Sequence, residues 1–550
     1  MKLLCGGTAV SGHVAGARRF SVVGQLGLWG ASLVLLLISA VGVAAATDVV
    51  TYHNDTRRTG QNQEETILTP VNVNSATFGK LFNVSVDGMV DAEPLYLSAV
   101  TIPGKGIHNV LYVETENDSV YAFDADVGTL LWNVSVLGAG ETPSGDHGCN
   151  QISPQIGITS TPVIDRSRGP HGTIYVVGMS MNAGTYFQRI HALDVTTGQE
   201  EFGGPVTVQA KYPGTGDNTH SGFVVFDPSQ YAERQGLLLL NGVVYLGWTS
   251  HCDHRPYTGW VMGYDANTLT QTSVLNLTPN GSEGSVWQAG AGMASGGANI
   301  FLLDANGTFD TALDANGFPA KGDYGNAFLK LGVSNNRQLA VADYFEMHNT
   351  VQESDEDVDL GSGGVLIVPV MTDANGVQRS LAIGAGKDGN IYIVDRNNLG
   401  KFNPNQNAIY QEIDGVLGGG IWSMPAYFAG NVYFGPVNNR LLQFHFSRAK
   451  LSTSPVSQSP EAYPYPGSTP SVSANGSQNG IVWAIGHYGG SSILRAYDAS
   501  NLAHEIYNSG TALNGRDRIG QATHFGTPMI VNGKVYVGTT NSVAVFGLLK

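Results

Sequence analysis

The chain is poor in charge and poorer still in cysteine. Only 13% of its 550 residues are charged, and three are cysteines. No charge run or proline-rich stretch divides it, so no linker between domains is visible. Basic residues are outnumbered, with 28 Lys and Arg against 44 Asp and Glu, for a formal charge of −16. A surface of that sign repels phosphate backbones, which excludes nucleic acid as a partner. No Gly-x-Ser-x-Gly elbow and no phosphate-cradling Walker loop occurs. No Cys-x-x-Cys-His haem attachment occurs either, so any electrons would have to leave to an external acceptor. The low charge does not signal disorder, because 42% of the residues are apolar.

Long apolar runs are also missing, with one exception. Residues 1–46 contain Lys2, Arg18 and Arg19 and no acid, then an uncharged, mostly apolar run from Leu26 to Ala45. Ala44, Ala45 and Ala46 offer small residues for cleavage. This pattern reads as a secretory signal, and an uncleaved anchor helix is the alternative because about 20 apolar residues can span a bilayer. Export to a periplasmic or secreted location follows from either reading. Losing the leader would take the formal charge from −16 to −19 and leave two cysteines, Cys149 and Cys252. In an oxidising compartment two thiols pair or face a site; two buried free thiols are the alternative.

What the chain has in excess is glycine, 72 residues against a usual share of about 7%. So much glycine without a collagen period means many tight turns, and therefore many short strands. One unit recurs along the chain: a small residue and Pro, an alternating strand, a Tyr-Val-like strand, a strand ending in Asp, a polar turn and a last strand. Copies include Glu93-Pro94 with Leu111-Tyr112-Val113 and Tyr121-Ala122-Phe123-Asp124, and Thr161-Pro162 with Ile174-Tyr175-Val176 and His191-Ala192-Leu193-Asp194. Asp124, Asp194 and Asp265 fall 70 and 71 residues apart. Eight copies can be traced, the fourth degenerate around Asn299–Leu302 and Phe328–Leu331. The last copy stops after three strands, and the stretch from Lys80 to Val86 has no partner. Joining the two would close a ring and hide its sheet edges. The expectation is all-β: a single domain over residues 47–550, built as an eight-bladed β-propeller of four-stranded blades, with seven blades as the fallback.

The stretch Ala192-Leu193-Asp194-x-x-Thr197-Gly198 resembles the repeat signature of quinoprotein alcohol dehydrogenases, and the likeness extends over roughly residues 90–550. That family binds pyrroloquinoline quinone in the central channel of an eight-bladed propeller. The segment Gly386-Lys387-Asp388-Gly389-Asn390 is similar to one that carries a basic residue against the quinone carbonyls, so the resemblance implies that role for Lys387. A cation there would stabilise the anion formed as hydride arrives. Gly418-Gly419-Gly420-Ile421-Trp422 and Trp287-Gln288-Ala289-Gly290 resemble channel segments, which implies that Trp422 and Trp287 flank the cofactor. By the same resemblance Asn306 would bind Ca²⁺, an oxygen-seeking ion. Asp359, or Asp357 two residues before it, would be the general base and Asp359 a further metal ligand.

The sequence also departs from that family. Where it often has two adjacent cysteines near the quinone, Cys149 is followed by Asn150. The loop His251-Cys252-Asp253-His254 lacks the family's metal-binding Glu, which leaves Asp253 as the substitute. The same string carries a weak zinc-like spacing, without further spaced ligands. Two functions therefore stand as expectations. One is an exported quinoprotein-like oxidoreductase acting on a small-molecule alcohol or sugar. The other is a non-catalytic propeller that binds a protein or glycan in the cell envelope, since fold alone does not settle function.

Overall fold

Short alternating segments between glycine turns become antiparallel sheets, and a computed structural model describes them over residues 47–550. The leader expected over residues 1–46 lies outside the described residues. Eight sheets of four or more strands form among the described residues. The main strands of seven are contiguous in the chain, spanning 95–135, 163–207, 238–276, 294–346, 366–413, 426–463 and 471–508, and the second, fourth and seventh also take up short strands from outside that span. The eighth joins distant parts of the sequence. Its strands Met529–Val531, Lys534–Gly538 and Ser542–Leu548 are completed by Phe78–Ser85, which pairs antiparallel with Ser542–Leu548. The degenerate fourth copy is a regular sheet carrying a long excursion between Asn299–Leu303 and Phe328–Val333.

The repeated residues have physical jobs. The Asp that ends the third strand caps the turn that follows. Asp124 Oδ1 accepts from the Asp126 and Val127 amides, and Asp194, Asp265, Asp395 and Asp498 each accept from the amide two residues on. The Tyr of the second strand reaches into the neighbouring sheet. Tyr112 donates to the Val195 carbonyl, Tyr175 to Ala266, Tyr433 to Ala499 and Tyr536 to Ala125. In each case the acceptor is the residue just after the capping Asp of another copy. The last of these bonds runs from the eighth sheet to the first. Between these polar latches the sheets bury apolar faces against one another, as in the layer where Tyr536, Val543 and Val545 meet Val110, Tyr112 and Phe123. Burial of this kind supplies about 25 cal/mol per Å² of apolar surface removed from water.

A short segment ahead of the first sheet touches all eight. Val49 pairs with Tyr96 in the first sheet, and the Val50 carbonyl accepts from Ile164 in the second. The carbonyls of Thr56, Arg57, Thr59 and Gly60 accept in turn from Ser295, Ile367, Tyr427 and Val472, in the opening strands of sheets four to seven. Arg58 reaches the Leu237 carbonyl at the start of the third sheet, and Asn62 Nδ2 reaches the Ile530 carbonyl in the eighth. Fourteen residues thus bind the opening strands of eight sheets, which satisfies inner-strand amides and carbonyls that no further strand covers.

Arg58 is the centre of this strap. It is 0% exposed, and its guanidinium donates to the Met293, Tyr52 and Leu237 carbonyls and to Thr51 Oγ1. Replacing it with Ala would orphan buried acceptors in three separate places. Arg58→Ala is expected to lower unfolding stability by at least about 3 kcal/mol, read by urea titration. A loss below about 1 kcal/mol would mean that the strap is ornamental.

Candidate functional site

The segments that lead into the opening strands converge on one cavity of about 280 Å³. Trp287 and Ala289 precede the fourth sheet, Asp357 and Asp359 the fifth, Trp422 the sixth, Tyr465 the seventh and Phe525 the eighth. The loop holding Cys149, Gln151 and Ile156 precedes the second, and Ala232 and Arg234 the third. Two loops between second and third strands complete the wall, one with Thr249 to Asp253 and one with Lys387.

Seven of the eight residues singled out from the sequence line this cavity: Asp253, Asp357, Asp359, Lys387, Trp287, Trp422 and Cys149. The eighth, Asn306, lies behind it, and its backbone amide donates to Asp359 Oδ1 at 2.7 Å. Cys149 and Cys252 are joined by a disulfide across 103 residues, so two walls of the cavity are covalently tied. The zinc-like spacing of His251 to His254 does not build a metal site. Among the described residues no group of three or more His, Cys, Asp and Glu side chains is arranged to hold a metal ion.

The polar centre is a triad. Lys387 Nζ lies 2.6 Å from both Asp357 and Asp359. Asp357 is mostly exposed, whereas the Asp359 side chain is 3% exposed. Burial pushes the Asp359 carboxyl up, and Lys387 and the Asn306 amide pull it back, leaving it at about 6. Burial acts to lower the Lys387 pKa, but the two carboxylates outweigh it and hold the ammonium above its usual range. Asp359 is therefore mostly ionised at neutral pH yet closer to neutrality than a free carboxylate. Beside the triad the chain is tightly packed: a Cβ on Gly420 would sit 2.5 Å from the Trp422 ring and 2.8 Å from the Lys387 carbonyl, so a larger residue does not fit there.

Arg234, Tyr465 and Phe525 went unread in the sequence, and His251 was read there only as part of a zinc-like spacing. His251 is 5% exposed, stacks on His147 at 4.0 Å and 8°, and leaves its buried Nε2 without a partner. Burial, with His147 and His254 nearby, lowers its pKa to about 3. Arg234 is buried, with Nη1 on the Thr159 carbonyl and its guanidinium 5.7 Å from the Phe525 ring. Tyr465 bonds Gln151, which links the seventh-sheet side of the mouth to the disulfide loop. The signal that could have found them was the register of the repeat itself. Arg234, Trp422, Tyr465 and Phe525 all sit four to six residues before an opening strand.

The residues fit a flat quinone in part. Aromatic faces and a disulfide-tied wall suit a planar ligand, and Lys387 is placed to meet a carbonyl. The charge balance is less favourable, since four carboxylates face two cations across the cavity lining. A polyanionic quinone would need a cation beside it. Asn306 Oδ1 and Asp304 Oδ2 are buried oxygens without partners. Asp253 acts electrostatically on the buried Asp359, and Asp359 in turn on Asp304. These are oxygen donors of the kind Ca²⁺ prefers, and the remaining ligands would have to come from the cofactor or from water.

No family model matches the chain, and no curated protein matches it. Solved structures do. The quinohemoprotein alcohol dehydrogenase from Comamonas testosteroni is 14% identical with a TM-score of 0.59, covering 92% of this chain and 81% of that one. A quinohemoprotein alcohol dehydrogenase from Pseudomonas putida HK5 is 13% identical with a TM-score of 0.58, covering 91% and 80%. A europium-containing methanol dehydrogenase is 12% identical with a TM-score of 0.57, covering 91% and 98%. At these identities the likeness is one of fold, and the chain has the β-propeller fold of quinoprotein alcohol dehydrogenases.

Two predictions follow from the buried charges. Removing the ammonium in Lys387→Met should raise the Asp359 pKa above about 6, because burial is then opposed only by the Asn306 amide. Carboxyl infrared bands followed across pH would show it, and an unchanged or lower value would refute the triad. The second concerns stability. Burial raises Glu93 and Glu114 to about 8 and Glu353 to about 7. A carboxyl whose folded pKa is raised stabilises below its unfolded value and loses that contribution as pH climbs through the folded value. The protein should therefore be more stable to urea at pH 5 than at pH 8.5, and the reverse order would contradict these assignments.

Proposed function

We propose that the chain is an exported, quinone-binding propeller protein of the quinoprotein dehydrogenase type, built as eight blades closed between Phe78–Ser85 and the last three strands. The ring reading is supported by the eight opening strands bound to one strap and by the Tyr536 to Ala125 bond between the eighth sheet and the first. Export is supported by the leader and by a disulfide of the kind that persists in oxidising compartments. The observation that carries the function is the convergence of Lys387, Asp357, Asp359, Trp287 and Trp422 on one cavity, with Asn306 bonded to Asp359.

When bound, pyrroloquinoline quinone would supply the hydride acceptor. The chain's own residues would handle the rest. Asp359, ionised at neutral pH and near 6, would accept the hydroxyl proton of an alcohol or sugar. Lys387 would hold Asp359 in place and present its positive charge where negative charge develops. The partner Asp357 would anchor Lys387 from the solvent side. Asn306, Asp253 and Asp359 would hold Ca²⁺. Trp287, Trp422 and the Cys149–Cys252 bridge would exclude water and keep the ligand flat. With no haem attachment motif in the chain, electrons would pass to an external acceptor.

The test is titration with pyrroloquinoline quinone, with and without Ca²⁺, followed by absorbance and thermal shift. A ligand at a hundred times its Kd should add about 2.7 kcal/mol of stability by mass action. Binding should need Ca²⁺ and should weaken at least about tenfold in Lys387→Ala, the equivalent of about 1.4 kcal/mol. No shift at high quinone and Ca²⁺ would sink the quinone reading and leave a scaffold that binds an envelope protein or glycan.

A further inference from the structure

The cavity is rich in acceptors and short of free donors. Asp146, Asp253, Asp357 and Asp359 face it, against the cations Lys387 and Arg234. Lys387 is fully engaged, and Arg234 spends one of its N–H groups on the chain itself. Lys387 bridges two carboxylates at 2.6 Å each, and Arg234 donates to the Thr159 carbonyl at 2.7 Å. His251 adds another acceptor. Its ring bonds the Tyr231 backbone, and its Nε2 is buried with no partner. A ligand that satisfies this wall has to bring donors and positive charge.

The rest of the wall is aromatic and angular. Trp422 and Tyr465 lie 5.9 Å apart at 69°, Tyr465 and Phe525 6.5 Å at 79°, and Phe525 and Trp287 6.4 Å at 76°. Successive rings set edge to face form a corner, and ring faces attract cations. The protein already uses one of these rings in that way, with Arg234 over Phe525. Trp422 and the triad share a corner, because the space above Gly420 is filled by the Trp422 ring and by the Lys387 backbone. Tyr465 feels the Lys387 charge, is 40% exposed and stands at the mouth.

We propose that this cavity recognises an organic cation, a small molecule bearing an alkylammonium group, held against Trp422 and Tyr465 with Asp357 as counter-ion. Neutral polyols are also donor-rich, but they gain nothing from ring faces by charge, nor from the carboxylate excess. The net charge of −16 draws cations towards the surface in the same sense. Cation binding rests on the cavity alone. Its role as the handle of an alcohol substrate rests on the quinone reading above.

The experiment compares choline with 3,3-dimethylbutan-1-ol, which has the same shape and hydroxyl but no charge. The purified full chain is titrated with each by calorimetry and tryptophan fluorescence at low and high salt, without quinone. Choline should bind at least about tenfold tighter, with the preference shrinking as salt rises. Tyr465→Ala, at an exposed position, and Asp357→Asn should each reduce choline affinity several-fold, and by more than they reduce that of the neutral isostere. Equal affinities, tighter binding of glycerol or glucose than of choline, or a charge preference that survives both substitutions would each overturn the proposal. Quinone binding is measured in a separate arm. Quinone uptake without choline preference sinks this inference and spares the proposed function. Choline preference without quinone uptake does the opposite.

Discussion

The structure depends on Arg58 and the strap around it. The opening strand of each sheet has one edge beyond its long neighbour, and in the seventh that edge pairs in register with Gln61–Asn62. Unpaired amides and carbonyls there would cost on the order of 1–3 kcal/mol each if buried without partners. Residues 49–62 answer that need with single hydrogen bonds rather than with a ninth sheet. Arg58 is the only side chain among them whose guanidinium reaches the third and fourth sheets together, through Leu237 and Met293. With the inner edges satisfied, the segments just ahead of the opening strands are held in place. Those segments are what carry the cavity.

Within the cavity the chemistry is set by an imbalance. Burial pushes the Asp359 carboxyl towards its neutral form. Lys387 keeps it near 6, and Lys387 is itself anchored by the exposed Asp357. The same triad ties Lys387 to two carboxylates, which leaves Arg234 as the other cation of the lining. A planar polyanion and an organic cation therefore make different demands on one space, and a bound divalent ion is what would reconcile the first with the carboxylate excess.

Much of the fold was legible because the repeat has a cause. The Asp at the end of the third strand caps a turn, and the Tyr of the second strand latches onto a neighbouring turn, so both recur in sequence at sheet spacing. The unpartnered strand near Lys80 was visible by the same count, and it pairs with Ser542–Leu548. The candidate residues came through resemblance, and their grouping in one cavity is geometric. The strap was not legible. Val49 to Asn62 has no alternation and no repeat, and its partners lie up to 468 residues away. Tyr465 and Phe525 were missed for another reason. Each looks like an ordinary turn aromatic until its distance to the next opening strand is counted.

The strap's position in the chain has a consequence for how the protein is made. It is synthesised before every strand it binds, and the Ile530 carbonyl that Asn62 needs emerges 468 residues later. Until then the beginning of the chain has no complete set of partners, and each finished sheet presents an inner edge that is still unsatisfied. Partial products should therefore gain little order from their sheets alone. The strap is therefore complete only once the eighth sheet is in place. It also makes a late truncation as damaging to the first folded residues as to the last.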